Sequence, residues 1–177
     1  AYNASKTDAV GSFEELLMKG WDPPLDVRAR LARQLCLAIE VLEGAGQLVH
    51  GDLSPANMMI VDAESASPKL CLIDFDGFYH PDVPAVPVST DRGGRSWGTP
   101  GYRAPGFRKG SDALVDSDRV AMAILVLELV ALRPDDVDDL PGDTLLAQKD
   151  IDARAPSIPE QIAERWPEGW ELVQEAI

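Results

Sequence analysis

His50-Gly51-Asp52-Leu53-Ser54-Pro55-Ala56-Asn57 is the stretch whose reading decides the fold. It follows an amphipathic helical pattern and precedes the apolar run Met58-Met59-Ile60-Val61, so its polar side chains fall on a loop between two packed elements. On such a loop Asp52 can accept a proton from an attacking hydroxyl. Asn57, five positions on, offers a carbonyl oxygen as a hard ligand for a metal. Both roles suit phosphoryl transfer, where the protein mainly positions the nucleophile and magnesium neutralises charge.

A second run makes the first interpretable. Lys69-Leu70-Cys71-Leu72-Ile73 reads as a strand that delivers Asp74-Phe75-Asp76-Gly77 at its end, with a carboxylate projecting beyond the sheet toward the loop. The two strands form a hairpin, because the polar, small-residue stretch 62–68 between them is a solvated turn. Further on, Gly98-Thr99-Pro100-Gly101-Tyr102-Arg103-Ala104-Pro105 is a third compact motif.

In this order the three motifs resemble the eukaryotic-type (bacterial-style) Ser/Thr protein kinase family, and specifically its C-terminal lobe. The first matches H-R-D-L-x-x-x-N with Gly51 in place of Arg; Asp74-Phe75-Asp76 stands where D-F-G belongs; the third looks like the end of an activation segment, with Gly106 where A-P-E has Glu. The resemblance covers nearly the whole chain. It implies one domain over 1–177, with an activation segment at about 74–106, and an α+β, mainly helical lobe whose small β-hairpin carries the catalytic and metal loops. It also implies ATP- and Mg-dependent transfer to a Ser/Thr hydroxyl of a protein substrate. Asp52 would be the base, Asn57 and Asp74 would hold magnesium, and Met59 would join them at the nucleotide by flooring the adenine pocket. Thr99 and Tyr102 would belong to the substrate segment, Thr99 bonding near Asp52. His50 packed on Phe75, and Asp118 bound to backbone amides of the loop, would brace the site.

No glycine-rich G-x-G-x-x-G loop and no V-A-I-K lysine occur in these residues. An N-lobe or upstream domain is therefore the expected partner, the ends Ala1 and Ile177 read as cuts in a longer chain, and the 177 residues alone are expected to be inactive. His-Gly-Asp followed by Ile-Asp-Phe-Asp is also similar to the aminoglycoside and choline phosphotransferases, which makes a small-molecule kinase the alternative. A pseudokinase-like interaction module is the non-catalytic alternative.

Composition bounds the rest. A chain of 177 residues fits one domain and buries roughly 70% of its unfolded surface. Sixteen Lys+Arg against 30 Asp+Glu give a net charge of -14, which argues against nucleic acid or an anionic membrane surface as partner. Cys36 and Cys71 lie in apolar surroundings and read as buried thiols, which points to a reducing, cytoplasmic compartment. The longest apolar run, from Val120 to Leu127 and past Glu128, falls short of the ~20 residues that span a bilayer.

Flanking elements follow from periodicity. Residues 1–11 read as a loop, and Ser12 caps a short helix with Glu15 three residues on. Asp26 caps a helix running to about Ala45, with Val27, Leu31, Leu35, Leu37, Ala38, Ile39 and Leu42 apolar and Arg28, Arg30 and Arg33 on the other side. Residues 76–97 read as a long functional loop, with Ser89, Thr90 and Ser96 as surface hydroxyls. The run from Asp118 to Leu129 is apolar all round between its ends and reads as the buried axis of the domain. Beyond an acidic connection, residues 159–177 read as one or two helices, with Trp166 and Trp170 as packing residues.

Overall fold

The computed structural model describes residues 10–46, 48–75, 98–105, 114–140 and 144–177. The architecture is α+β and mainly helical, with one small antiparallel sheet at the end of the domain that carries the loop 50–57. Three strands, β1 (Gly11–Ser12), β2 (Met58–Val61) and β3 (Lys69–Leu72), run in the order β1-β2-β3. The hairpin expected from the sequence is β2–β3, in register from Met58 opposite Leu72 to Val61 opposite Lys69. The third strand was not legible: residues 1–11 read as loop, yet Gly11 pairs with Ile60 and Ser12 with Met59. A two-residue strand has too little periodicity to announce itself, and only its partner creates it.

Ser12 ends that strand and caps α1 (Phe13–Met18), its hydroxyl accepting from the Glu15 amide at 3.1 Å. The cap expected at Asp26 is absent. Helix α2 (Leu25–Gly44) starts two residues earlier, with Pro24 as its N-cap, and Asp26 lies in its first turn, where it pairs with Arg30 at 2.9 Å. No side-chain oxygen caps this helix.

Helix α3 (Leu114–Ala131) is the buried axis. Ile124, Leu125 and Leu127 are fully buried, and the helix packs between α2 and α6 (Pro167–Ala176). Each such aliphatic contributes roughly 1.5–3 kcal/mol through burial. Between α3 and α6 come α4 (Gln148–Asp152) and α5 (Glu160–Arg165). Trp166 and Trp170 pack against the core as expected, and Trp166 lies over the Gly169 backbone so closely that a Cβ there would meet its ring at 2.1 Å.

Two expectations from the sequence are overturned. Arg28 does not lie on the solvent side of α2: it is 1% exposed, and its guanidinium donates to the carbonyls of Pro23, Leu129 and Leu132 and to Asp22. Two of those carbonyls belong to the last turn of α3 and the residue after it, which have no partner within the helix, so a buried guanidinium caps α3 from across the core. Cys36 and Cys71 are exposed free thiols rather than buried ones. Both follow from phase: in β3, Lys69 and Cys71 face outward while Leu70 and Leu72 turn in.

No helix among the described residues is long and apolar enough to cross a membrane.

Candidate active site around Asp52

The loop 50–57 is held from α3. Asp118, 5% exposed on the first turns of that helix, accepts the His50 amide at 2.6 Å through Oδ2 and the Gly51 amide at 3.0 Å through Oδ1. Burial pushes the Asp118 carboxyl above its ordinary value, and the two amides pull it back. Gly51 has φ +78°, a left-handed conformation that glycine adopts without steric cost. His50 is fully buried. Its Nε2 donates to the Ile73 carbonyl at 2.9 Å, and its ring meets Phe75 with centroids 4.8 Å apart. The imidazole is therefore a packed strut between the loop and the end of β3.

Asp52 is half-buried, and the Thr99 hydroxyl donates to its Oδ1 at 2.7 Å. Thr99 thus comes from 47 residues away to the carboxylate that the sequence singled out. Asn57 is buried in the 3-10 turn Pro55–Asn57. Its Nδ2 donates to the Asp52 carbonyl at 2.8 Å, and its own carbonyl accepts from Ile73 at 3.0 Å. With the amide nitrogen occupied, the side-chain oxygen is the end left for a cation. Asp74 follows Ile73 directly, is exposed, and has φ +60°, which aspartate tolerates better than most residues. Asp52, Asn57 and Asp74 are thereby joined through a short chain of backbone contacts at one end of the hairpin. Met59 is half-buried in β2 opposite Cys71. Phe75 is 45% exposed. Asp76, Gly106, Ser89, Thr90 and Ser96 lie outside the described residues.

Tyr102 turns inward. It is 3% exposed, its hydroxyl donates to Glu128 Oε1 at 2.7 Å, and it lines the cavity beside the loop 50–57 with Thr99. The turn before it holds it there: Gly101, at φ +91°, donates its amide to Gln148 Oε1, and a Cβ would come within 2.7 Å of the Leu146 carbonyl. Burial pushes the Glu128 carboxyl up to about 8, against the opposing bonds from the Tyr102 hydroxyl and the Leu145 amide. Burial, helped by the charge of Glu128, raises the Tyr102 phenol as well. Glu128 is the polar residue that sequence reasoning missed. A single acid within an otherwise apolar helical run was the available signal, and it reads equally well as the end of that run.

The oxygen set suits magnesium. Asn57 and Asp74 would supply two hard oxygen ligands, and an ion of this kind keeps waters and substrate phosphates for the rest of its octahedron. No group of three or more His, Cys, Asp or Glu among the described residues forms an all-protein metal cage.

No family model matches the chain. Among curated proteins it is similar to "U-box domain-containing protein 33" of Arabidopsis thaliana, 34% identical over 129 residues, which are 70% of this chain and 15% of that protein. The chain therefore spans about a seventh of the length of the relative it matches. This finding overturns the expected membership of the Ser/Thr protein kinase family and the kinase labels that went with it. The physical reason is that the three motifs are short loops, and each states only a local geometry. The match over 129 residues draws on 70% of the chain and leads to a protein with a different name.

Proposed function

We propose that the loop 50–57, with Asp74 and Thr99, supports Mg- and ATP-dependent transfer of a phosphoryl group to a hydroxyl, a Ser or Thr of a protein substrate. The observation that carries this reading is the 2.7 Å bond from the Thr99 hydroxyl to Asp52 Oδ1. That bond supports the reading because it sets a hydroxyl directly against the carboxylate. Asp52 positions the attacking oxygen and takes its proton, Asn57 and Asp74 present oxygens to the cation, and Asp118 and His50 hold the loop so that none of these groups has to reorganise. Magnesium, when bound, neutralises charge on the transferring group.

The finer reading of the fold belongs to the same proposal: a lobe whose hairpin carries the catalytic and metal loops, completed by an upstream domain that covers the nucleotide. A cytoplasmic location goes with it, because free thiols such as Cys36 and Cys71 persist in that compartment.

In the full-length protein, Asp52→Asn should lower turnover by roughly 10² to 10⁴ and leave Mg-ATP affinity unchanged. Asp74→Asn should abolish turnover and also weaken Mg-ATP binding. Equal effects of the two substitutions on nucleotide affinity, measured by calorimetry with and without magnesium, would refute these roles. An absence of any Mg-ATP binding would favour a non-catalytic interaction module.

A further inference from the structure

The segment 98–105, which brings Thr99 to Asp52, is neither helix nor strand, so its shape depends on what grips it from elsewhere in the chain. The Tyr102 amide donates to the Thr99 carbonyl at 3.2 Å and closes a turn with Pro100 and Gly101 at its centre. That residue pair, with Gly101 at φ +91°, is what a type II turn requires. Two anchors on α3 hold the far side of the turn: the Tyr102 hydroxyl bonds Glu128, and the Ala104 amide donates to Ser117 Oγ at 3.3 Å. The corner itself is held from α4. Gln148, half-buried at the start of that helix, accepts the Gly101 amide through Oε1 at 3.0 Å and donates through Nε2 to the Arg103 carbonyl at 3.2 Å. The same nitrogen donates to Asp152 Oδ1 at 3.0 Å, one helical turn along. An amide N–H can only donate and a carbonyl can only accept, so these partners fix which end of the Gln148 amide faces which group.

We propose that Gln148 is a positioning residue for the phosphoryl transfer: by pinning the Gly101 corner, it sets the Thr99 hydroxyl on Asp52 Oδ1 and so fixes the carboxylate that receives the incoming hydroxyl. The role rests on the proposed transfer, and it adds to that site a residue of α4 that touches none of the reacting atoms. Its effect passes through Thr99. With Oδ1 engaged, the carboxylate is held in one orientation and Oδ2 is the oxygen that meets the substrate. A primary amide suits the task because one side chain must satisfy an N–H and a C=O two residues apart, and a hydroxyl or a carboxylate in its place would leave one of them unmet.

The test uses the full-length protein in two ways: threonine-methyl NMR without nucleotide, and steady-state transfer from Mg-ATP. Gln148→Leu removes both bonds to the turn and leaves Asp52 and Thr99 in place, so it should move the Thr99 methyl resonance. It should also lower kcat by roughly 10- to 100-fold, the cost of a misplaced catalytic group, with Mg-ATP affinity unchanged. Thr99→Val should lower kcat over the same range. Because Gln148 acts through Thr99, the double variant should match Thr99→Val alone to within about 2-fold. Gln148→Glu keeps an acceptor for the Gly101 amide and gives up the donor to Arg103; it should fall between parent and the leucine variant in both readouts, and it replaces that variant if the latter does not fold. An unmoved Thr99 resonance, parental kcat in Gln148→Leu, or a double variant whose loss is the product of the two single losses overturns the role, the last because independent structural damage multiplies. A Thr99 resonance that moves in a protein that transfers no phosphoryl group supports the hold on Thr99 and refutes the transfer reading instead, so the two failures are told apart.

Discussion

Replacing Glu128 by Gln should change how stability depends on pH, by an amount the structure sets. The carboxyl sits at about 8 in the folded chain and 4.5 in the unfolded one, since burial disfavours its charged form. The folded state therefore holds a proton that the unfolded state releases anywhere between those values. Stability contributed by the neutral acid is complete below about 4.5 and is lost as pH rises toward 8. A shift of that size corresponds to roughly 5 kcal/mol across the window, at about 1.4 kcal/mol per pH unit. Glutamine keeps an oxygen for the Tyr102 hydroxyl and has no proton to lose. Urea unfolding of parent and variant at pH 5, 6, 7 and 8 reads the difference directly, since every other titrating group cancels between the two. The variant should match the parent near pH 5 and gain on it steadily, reaching several kcal/mol at pH 8. Parallel stability profiles would refute the reasoning, because they would mean that Glu128 is charged or solvated in the folded state.

Asp118→Asn should cost roughly 2–4 kcal/mol and lower Tm by around 10 °C, because an amide nitrogen is turned toward one of two buried N–H donors. A loss below about 0.5 kcal/mol in urea unfolding would show that the loop does not depend on it. Arg28→Met should destabilise by roughly 3 kcal/mol or more, since it strips partners from the Leu129 and Leu132 carbonyls and from Asp22. Hydrogen exchange should show the last turn of α3 opening first, and uniform protection across α3 would count against the capping role.

The local elements were written in the chain. The β2–β3 hairpin, the Ser12 cap, the apolar axis of α3 and the loop bearing Asp52 and Asn57 each follow from side-chain period or turn chemistry, which act over a few residues. The membership drawn from the same motifs did not hold, because motifs of eight residues or fewer carry geometry and no more. What the tertiary structure alone decided are the contacts between residues far apart in sequence. Arg28 reaching across the core to α3 and Tyr102 turned inward to Glu128 span 101 and 26 positions. No periodicity encodes such pairings. Each exists because a buried polar group must find a partner wherever the packing of helices places one, and that packing is a property of the whole chain.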